Sequence, residues 1–278
     1  MHRISYDAGP CRGELHKAIL NALNYEIREM CRRLGFSRQE IYEVVVAGNS
    51  TMRDLFFNLD VQSIGQRPYK SMIEHEFLEG KRQTTALGEE ARHLRVYVNP
   101  EAKVYGMPLV ASHVGADTAA DLVAIDIEAQ REVVMLVDVG TNTEVVVGHA
   151  GRMLTASCPA GPAFEGGLIK YGMPGSDGAI ESIRRTNGRF EYRTIEGGNP
   201  QGICGSGLID LLAELRRHGQ MTPKGVFANK TYETPVVPEY GITFSREDAS
   251  NLAQAKAANY CGQFIVMRQF GIGPEDIT

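Results

Sequence analysis

The chain has 278 residues, enough for one large domain or two lobes with a sizeable core. Its composition is that of an ordinary globular protein, 43% apolar and 23% charged. A net charge of −5 and a pI near 5.9 advertise no basic face for nucleic acid. Pure apolar runs such as Val44-Val45-Val46-Ala47 are strand-sized, which predicts no membrane span, and MHRISYDAGP holds no signal-peptide core. Cys11, Cys31, Cys158, Cys204 and Cys261 contain no C-x-x-C pair. That argues against a disulfide framework, a zinc ribbon or an iron–sulfur cluster held within this chain, and fits a reduced, cytoplasmic setting.

Taken in order, residues 14–34 set Leu15, Ala18, Ile19, Ala22, Leu23, Ile27, Met30 and Leu34 on one helical stripe, with Gly35 as its stop. Ser37 to Glu40 spells a capping box, and IYEVVVAGNSTM reads as a buried strand ending at Gly48. Residues 60–93 are polar and give no clear element; 74–93 read as a solvated face. LRVYVNP and KVYGMPLV read as short strands and GADTAADLVAIDI as a helix. Val133 to Val137 read as a strand buried on both faces. It leads into Asp138-Val-Gly-Thr-Asn-Thr, a second strand, and a third over 151–158. A glycine-rich loop, PAGPAFEGG, follows. A hairpin is predicted around Asn187-Gly188, a helix over 205–219, and a long helix from a Ser245 cap to Gly271. The sequence of long helix, glycine stop, acidic turn and strand at 14–47 begins again at 246–278. The class is α/β with mixed sheets.

The chemistry gathers at 138–143. A carboxylate at the end of an apolar strand needs a cation or donors. Gly140 admits close backbone approach, turn amides form an anion-binding concavity, and Thr141 and Thr143 add hydroxyls beside Asn142. An acid for Mg²⁺ beside amides for phosphate is the minimum of a polyphosphate site. Asp117, at the start of the preceding helix, is either a simple cap or a second carboxylate beside an attacking water, within reach of the same hydrated Mg²⁺ as Asp138. Gly161, Glu165 and Gly166 in GPAFEGG, and Gly205 and Ser206 in CGSG, form further glycine turns; CGSG offers bare amides at a helix start. The seven histidines lack metal-ligand spacing, no G-x-S-x-G elbow occurs, and GPAFEGG lacks the Lys of a P-loop.

GADTAAD followed by VMLVDVGTNTEVVVG resembles the second half-site of the actin, sugar-kinase and Hsp70 (ASKHA) ATPase superfamily. The resemblance implies a ribonuclease-H-like, two-lobed fold with mixed sheets. It makes Asp117 the helix acid, Asp138 the metal-side aspartate, and Gly140 to Thr143 the phosphate hairpin. VVVAGNSTM, VGADTAAD, LVDVGTNTEVVVG, SCPAGPAFEGG and CGSGLIDLLAEL, in that order, are similar to the C-terminal domain of reductive activators of corrinoid proteins. That similarity implies ATP and Mg²⁺ as cofactors and a corrinoid protein as partner, returned from Co(II) to Co(I). The electrons would come from an iron–sulfur module in a separate part of the full-length protein. Residues 1–129 would supply part of the first lobe and 130–278 part of the second, with the nucleotide cleft between them. The family's first phosphate hairpin and terminal glycine strand lie outside this stretch, so the chain reads as truncated at both ends. A nucleotide-gated partner-binding module without turnover, a small-molecule kinase of the same superfamily, and a homodimer stay open.

Overall fold

The computed structural model describes residues 2–140 and 142–277. The chain divides into two compact units, Met1–Arg131 with His149–Gly151, and Glu132–Gly148 with Arg152–Thr278. Both are α/β with small mixed sheets, as the order of helical and strand signals predicts.

The first unit opens with α1 (His2–Asp7) and α2 (Glu14–Leu34). α2 ends at Gly35, whose left-handed backbone turns its N–H back onto the Cys31 carbonyl. Leu20, Ile27 and Cys31 form the buried face of α2. Met30 and Leu34, expected on that face, are 44% and 63% exposed, so the stripe is rotated from the predicted one. The capping box forms: Ser37 N–H donates to Glu40 Oε2 at 2.7 Å, and Gln39 N–H donates to Ser37 Oγ at 3.2 Å. Next come β1 (Glu43–Val46), α3 (Ser50–Phe56), α4 (Met72–Leu78), β2 (Leu87–Glu90), α5 (Ala91–Leu94), β3 (Lys103–Gly106) and α6 (Ala116–Ala124). The sheet order is β1-β3-β2, with β3 parallel to β1 and antiparallel to β2.

Two expectations change here. β1 is an edge strand and alternates exposed with half-buried residues, so the VVV run is not the fully buried strand it resembles. LRVYVNP is no strand. Leu94 closes α5, Arg95 takes a left-handed turn, and Val96 N–H returns to the Ala91 carbonyl at 3.0 Å. Val96 and Val98 still enter the core, beside Leu87, Ala91 and Ala102.

The second unit begins with the meander β4 (Val134–Val139), β5 (Asn142–His149) and β6 (Arg152–Pro159), ordered β4-β5-β6. β5 is central, and its Val145, Val146 and Val147 are fully buried. β4 is the edge and only half-buried along its length, which corrects the reading of Val133 to Val137 as buried on both faces. β7 (Ala179–Thr186) and β8 (Arg189–Thr194) form the predicted hairpin, with Asn187 and Gly188 both at positive φ as a tight right-twisted turn requires. β9 (Gly202–Ile203) pairs parallel to β7 and leads into α7 (Gly205–Arg217). The antiparallel pair β10 (Glu233–Val237) and β11 (Ile242–Ser245) precedes α8 (Arg246–Phe270), which Ser245 caps and Gly271 ends. Val266, Met267 and Phe270 of α8 pack against Val145 and Val147. A larger core joins Ile180, Ile183, Leu208, Leu211, Leu215, Phe244 and Leu252. No helix among the described residues is long and apolar enough to cross a membrane.

Candidate functional site

Alternating valines make β4 and β5, and the register of that hairpin fixes the site. Asp138 pairs with Glu144 and Val139 with Thr143. Directly opposed residues share one face of a ladder, so Asp138 and Glu144 lie on the same face of the hairpin, where two like charges repel unless something offsets them. Glu144 was not singled out from the sequence; the register places it opposite Asp138. Ser157 of β6 donates to Glu144 Oε1 at 3.1 Å. Gly140 is exposed, and its N–H donates to the Asn142 carbonyl at 2.8 Å. Asn142 is exposed, while Thr141 lies outside the described residues. Thr143 is fully buried, and its Oγ1 has no hydrogen-bond partner among the described residues. Leaving a buried hydroxyl unpaired costs about 1–3 kcal/mol, and strand alternation sets Thr143 on the face of Val145 and Val147, opposite to that of Asp138 and Glu144.

β6 lies beside β5, so it exits at the same end of the sheet and delivers the glycine loop there. Asn259 of α8 donates its Nδ2 to the Ala160 carbonyl at 3.2 Å and to the Ala255 carbonyl at 2.9 Å, which fixes the turn before Gly161. Its own Oδ1 is buried and unpartnered. Gly161 packs against Ala255, and Pro162–Glu165 forms a 3-10 turn closed by Gly166 N–H on the Ala163 carbonyl at 3.1 Å. Glu165 lines a cavity of about 470 Å³ with Pro162, Gly167, Pro174 and Gly175. Gly205 lies against the Phe164 carbonyl, which brings the loop onto the start of α7. No side chain caps α7. The Ser206 hydroxyl is committed to the Glu181 carbonyl at 2.8 Å. Hairpin, glycine loop and α7 start thus belong to one unit, and Asp117 to the other.

Within the first unit, Ala116 and Asp117 N–H groups donate to the Gly48 carbonyl at 3.0 and 3.2 Å, so the AGNS turn after β1 caps α6. Asp117 Oδ1 accepts from Thr118 N–H at 2.9 Å, the local cap its sequence position suggests. One turn on, burial and then the Asp117 charge raise the Asp121 carboxyl above its ordinary value. Sequence reasoning passed over Asp121, and read the AGNS stretch only as the end of a strand and part of a motif.

An acid-glycine hairpin with a glycine loop and a helix start, in an α/β unit of mixed sheets, defines the ASKHA class. A model of the C-terminal domain of RACo, the ASKHA domain, matches residues 132–278, and a model of the RACo middle region matches residues 1–130. The chain is 32% identical to the corrinoid activation enzyme RamQ of Eubacterium limosum, over 99% of this chain and 49% of that protein. It is 24% identical to the [Co(II) methylated amine-specific corrinoid protein] reductase of Methanosarcina barkeri, over 90% of this chain and 50% of that one. A solved reductive activator for corrinoid, iron–sulfur protein matches 99% of this chain and 46% of its own, at 34% identity and a TM-score of 0.80. The chain belongs to the RACo family, and it spans about half the length of the relatives it matches.

Proposed function

We propose that this chain is the ATP-binding part of a reductive activator that returns an inactive Co(II) corrinoid protein to Co(I). The observation that carries the reading is the register that sets Asp138 opposite Glu144 on one face, beside the open Gly140 turn. Two carboxylates on one face suit Mg²⁺, which takes one or two protein carboxylates and completes its shell with phosphate oxygens and water. Bound Mg-ATP supplies a phosphoryl group whose transfer to water releases free energy. In this reading Asp138 holds the metal side, and the backbone from Gly140 to Thr143 receives phosphate. The loop through Gly161, Glu165 and Gly166 and the α7 start at Gly205 and Ser206 flank the nucleotide. Asp117 acts on the attacking water. Residues 1–129 and 130–278 are assigned to the two lobes of the ATPase fold. The electrons come from an iron–sulfur module in another part of the full-length protein, and the corrinoid protein is the partner in a cytoplasmic methyl-transfer system.

The test uses the full-length protein. Asp138→Asn removes the charge a metal needs, and ATPase activity falls by at least ~100-fold, the scale of a lost preorganised electrostatic contact. Asp117→Asn lowers turnover while Mg-ATP still binds. Unchanged turnover in both variants would remove the assignment. ATP binding without phosphate release in the unmodified protein, with or without a corrinoid protein, would leave a nucleotide-gated switch instead.

A further inference from the structure

α7 and α8 each present a face at matching helical spacing to a common groove. α7 supplies Ile209, Leu212, Ala213 and Arg216; α8 supplies Ala249, Leu252, Ala253 and Lys256. Positions i, i+3, i+4 and i+7 normally carry large apolar residues that fill such a groove. Here Ala213, Ala249 and Ala253 leave it open, and a cavity of about 550 Å³ results, with Phe164 and Met221 completing its apolar lining. Every lining residue belongs to the second unit.

Three cations stand around this apolar space: Arg216, Lys224 and Lys256. None of the three forms an ion pair among the described residues. Arg216 is held in place, with Nη1 donating to the Met221 carbonyl at 2.6 Å, its one side-chain hydrogen bond among the described residues. Ligand sites have this composition: a few hundred cubic ångströms, mostly apolar walls, and a few polar groups that fix orientation. An uncharged ligand would leave the cations unused, and an inorganic anion would leave the apolar walls wet.

We propose that the groove between α7 and α8 binds a small amphipathic anion, an aryl or acyl carboxylate, with its apolar body on Phe164, Leu212, Met221 and Leu252. Its carboxylate meets Arg216, Lys224 and Lys256. The site is independent of the nucleotide reading and is measured without nucleotide.

Anilinonaphthalene sulfonate, an aromatic body with one anionic group, is the probe, read by fluorescence on the full chain. One probe binds per chain. Naphthoate displaces it, and neutral naphthylmethanol does so about tenfold less well, the scale of two or three exposed ion pairs. Ala253→Phe fills the groove and abolishes binding. Lys224→Gln with Lys256→Gln, both at exposed positions, leaves the fold intact and lowers the preference for naphthoate, Arg216 supplying what remains. Equal competition by the neutral analogue, or unchanged probe binding in both variants, overturns the proposal. Displacement of the probe by Mg-ATP also overturns it, because the groove would then belong to the nucleotide site.

Discussion

At the scale of single residues, two glycines of the candidate site carry opposite demands. A methyl group at Gly140 would meet only the Asn142 carbonyl at 3.5 Å, and its backbone is not left-handed, so the fold does not require glycine there. A methyl group at Gly205 would collide with the Phe164 carbonyl. Gly140→Ala therefore leaves thermal stability within about 0.5 kcal/mol, as surface changes do, while it weakens Mg-ATP binding by blocking backbone approach. Gly205→Ala costs about 1–3 kcal/mol through overpacking. Paired calorimetric melts and ATP titrations separate the two; a stable Gly140→Ala that binds ATP normally would detach that turn from the nucleotide. Glu74 gives a residue-scale pH test. Burial alone raises its carboxyl, but hydrogen bonds from Lys70 and Ser112, with the Lys70 charge, win and hold it below the ordinary 4.5. A depressed carboxyl stabilises the fold above its unfolded value and loses that contribution as pH falls through its folded value. The melting-temperature gap between the unmodified protein and Glu74→Gln is fully open at about pH 6 and narrows as the pH falls below the ordinary 4.5 and through the lower folded value. A gap independent of pH would exclude the linkage.

Among elements, α8 shows what a local cap adds when a tertiary contact shares its carboxylate. Asp248 Oδ2 accepts from Ser245 N–H at 2.8 Å, and Asp248 Oδ1 accepts from Lys170 N–H at 2.8 Å. Ser245→Ala removes one cap, about 1 kcal/mol. Asp248→Ala strands two backbone donors near a buried position and costs more, about 2–4 kcal/mol. Denaturant melts check the order, and equal losses would reduce Asp248 to a cap alone. Elements with such local signals were legible in the sequence: α2 with Gly35, the Ser37 box, the Asn187-Gly188 turn, and α8 from Ser245 to Gly271. The predicted echo also holds. α8, Gly271 and the 3-10 turn Pro274–Asp276 lead to Ile277, which bridges Val133 in parallel, as β1 pairs parallel with β3 after α2. What was not legible depends on contacts distant in sequence. Leu87 and Val96 owe their places to the first unit's core, not to periodicity. The half-exposure of β4 follows from its place at the edge of the sheet. In the site, the Asp138 to Thr143 motif was readable as a string. Glu144 needed the register, and Asn259 needed the approach of α8 to a carbonyl 99 positions away.

At the scale of the whole molecule, each hydrophobic cluster is confined to one unit. Ile180, Leu211, Phe244 and Leu252 form a core with no member before residue 163, and Val145, Val266 and Phe270 form another within the same unit. The first unit has its own, around Leu20, Phe56, Leu94 and Val104. A domain near 150 residues buries roughly 70% of the surface its unfolded chain exposes, enough to fold alone. Residues 132–278 hold two such cores, the capped α8 and the hairpin with its orphaned Thr143 hydroxyl. Cleavage within the segment after α6, at 127–131, should therefore free a fragment that keeps its structure. Expressed alone, residues 132–278 should melt in one cooperative transition, and Asp248→Ala should lower its midpoint as it does in the full chain. The Asp248 comparison makes the result decisive, because a collapsed but unpacked fragment would show helix by circular dichroism yet ignore the substitution. A gradual, substitution-insensitive melt would mean that the second unit's cores need residues 1–131 to form.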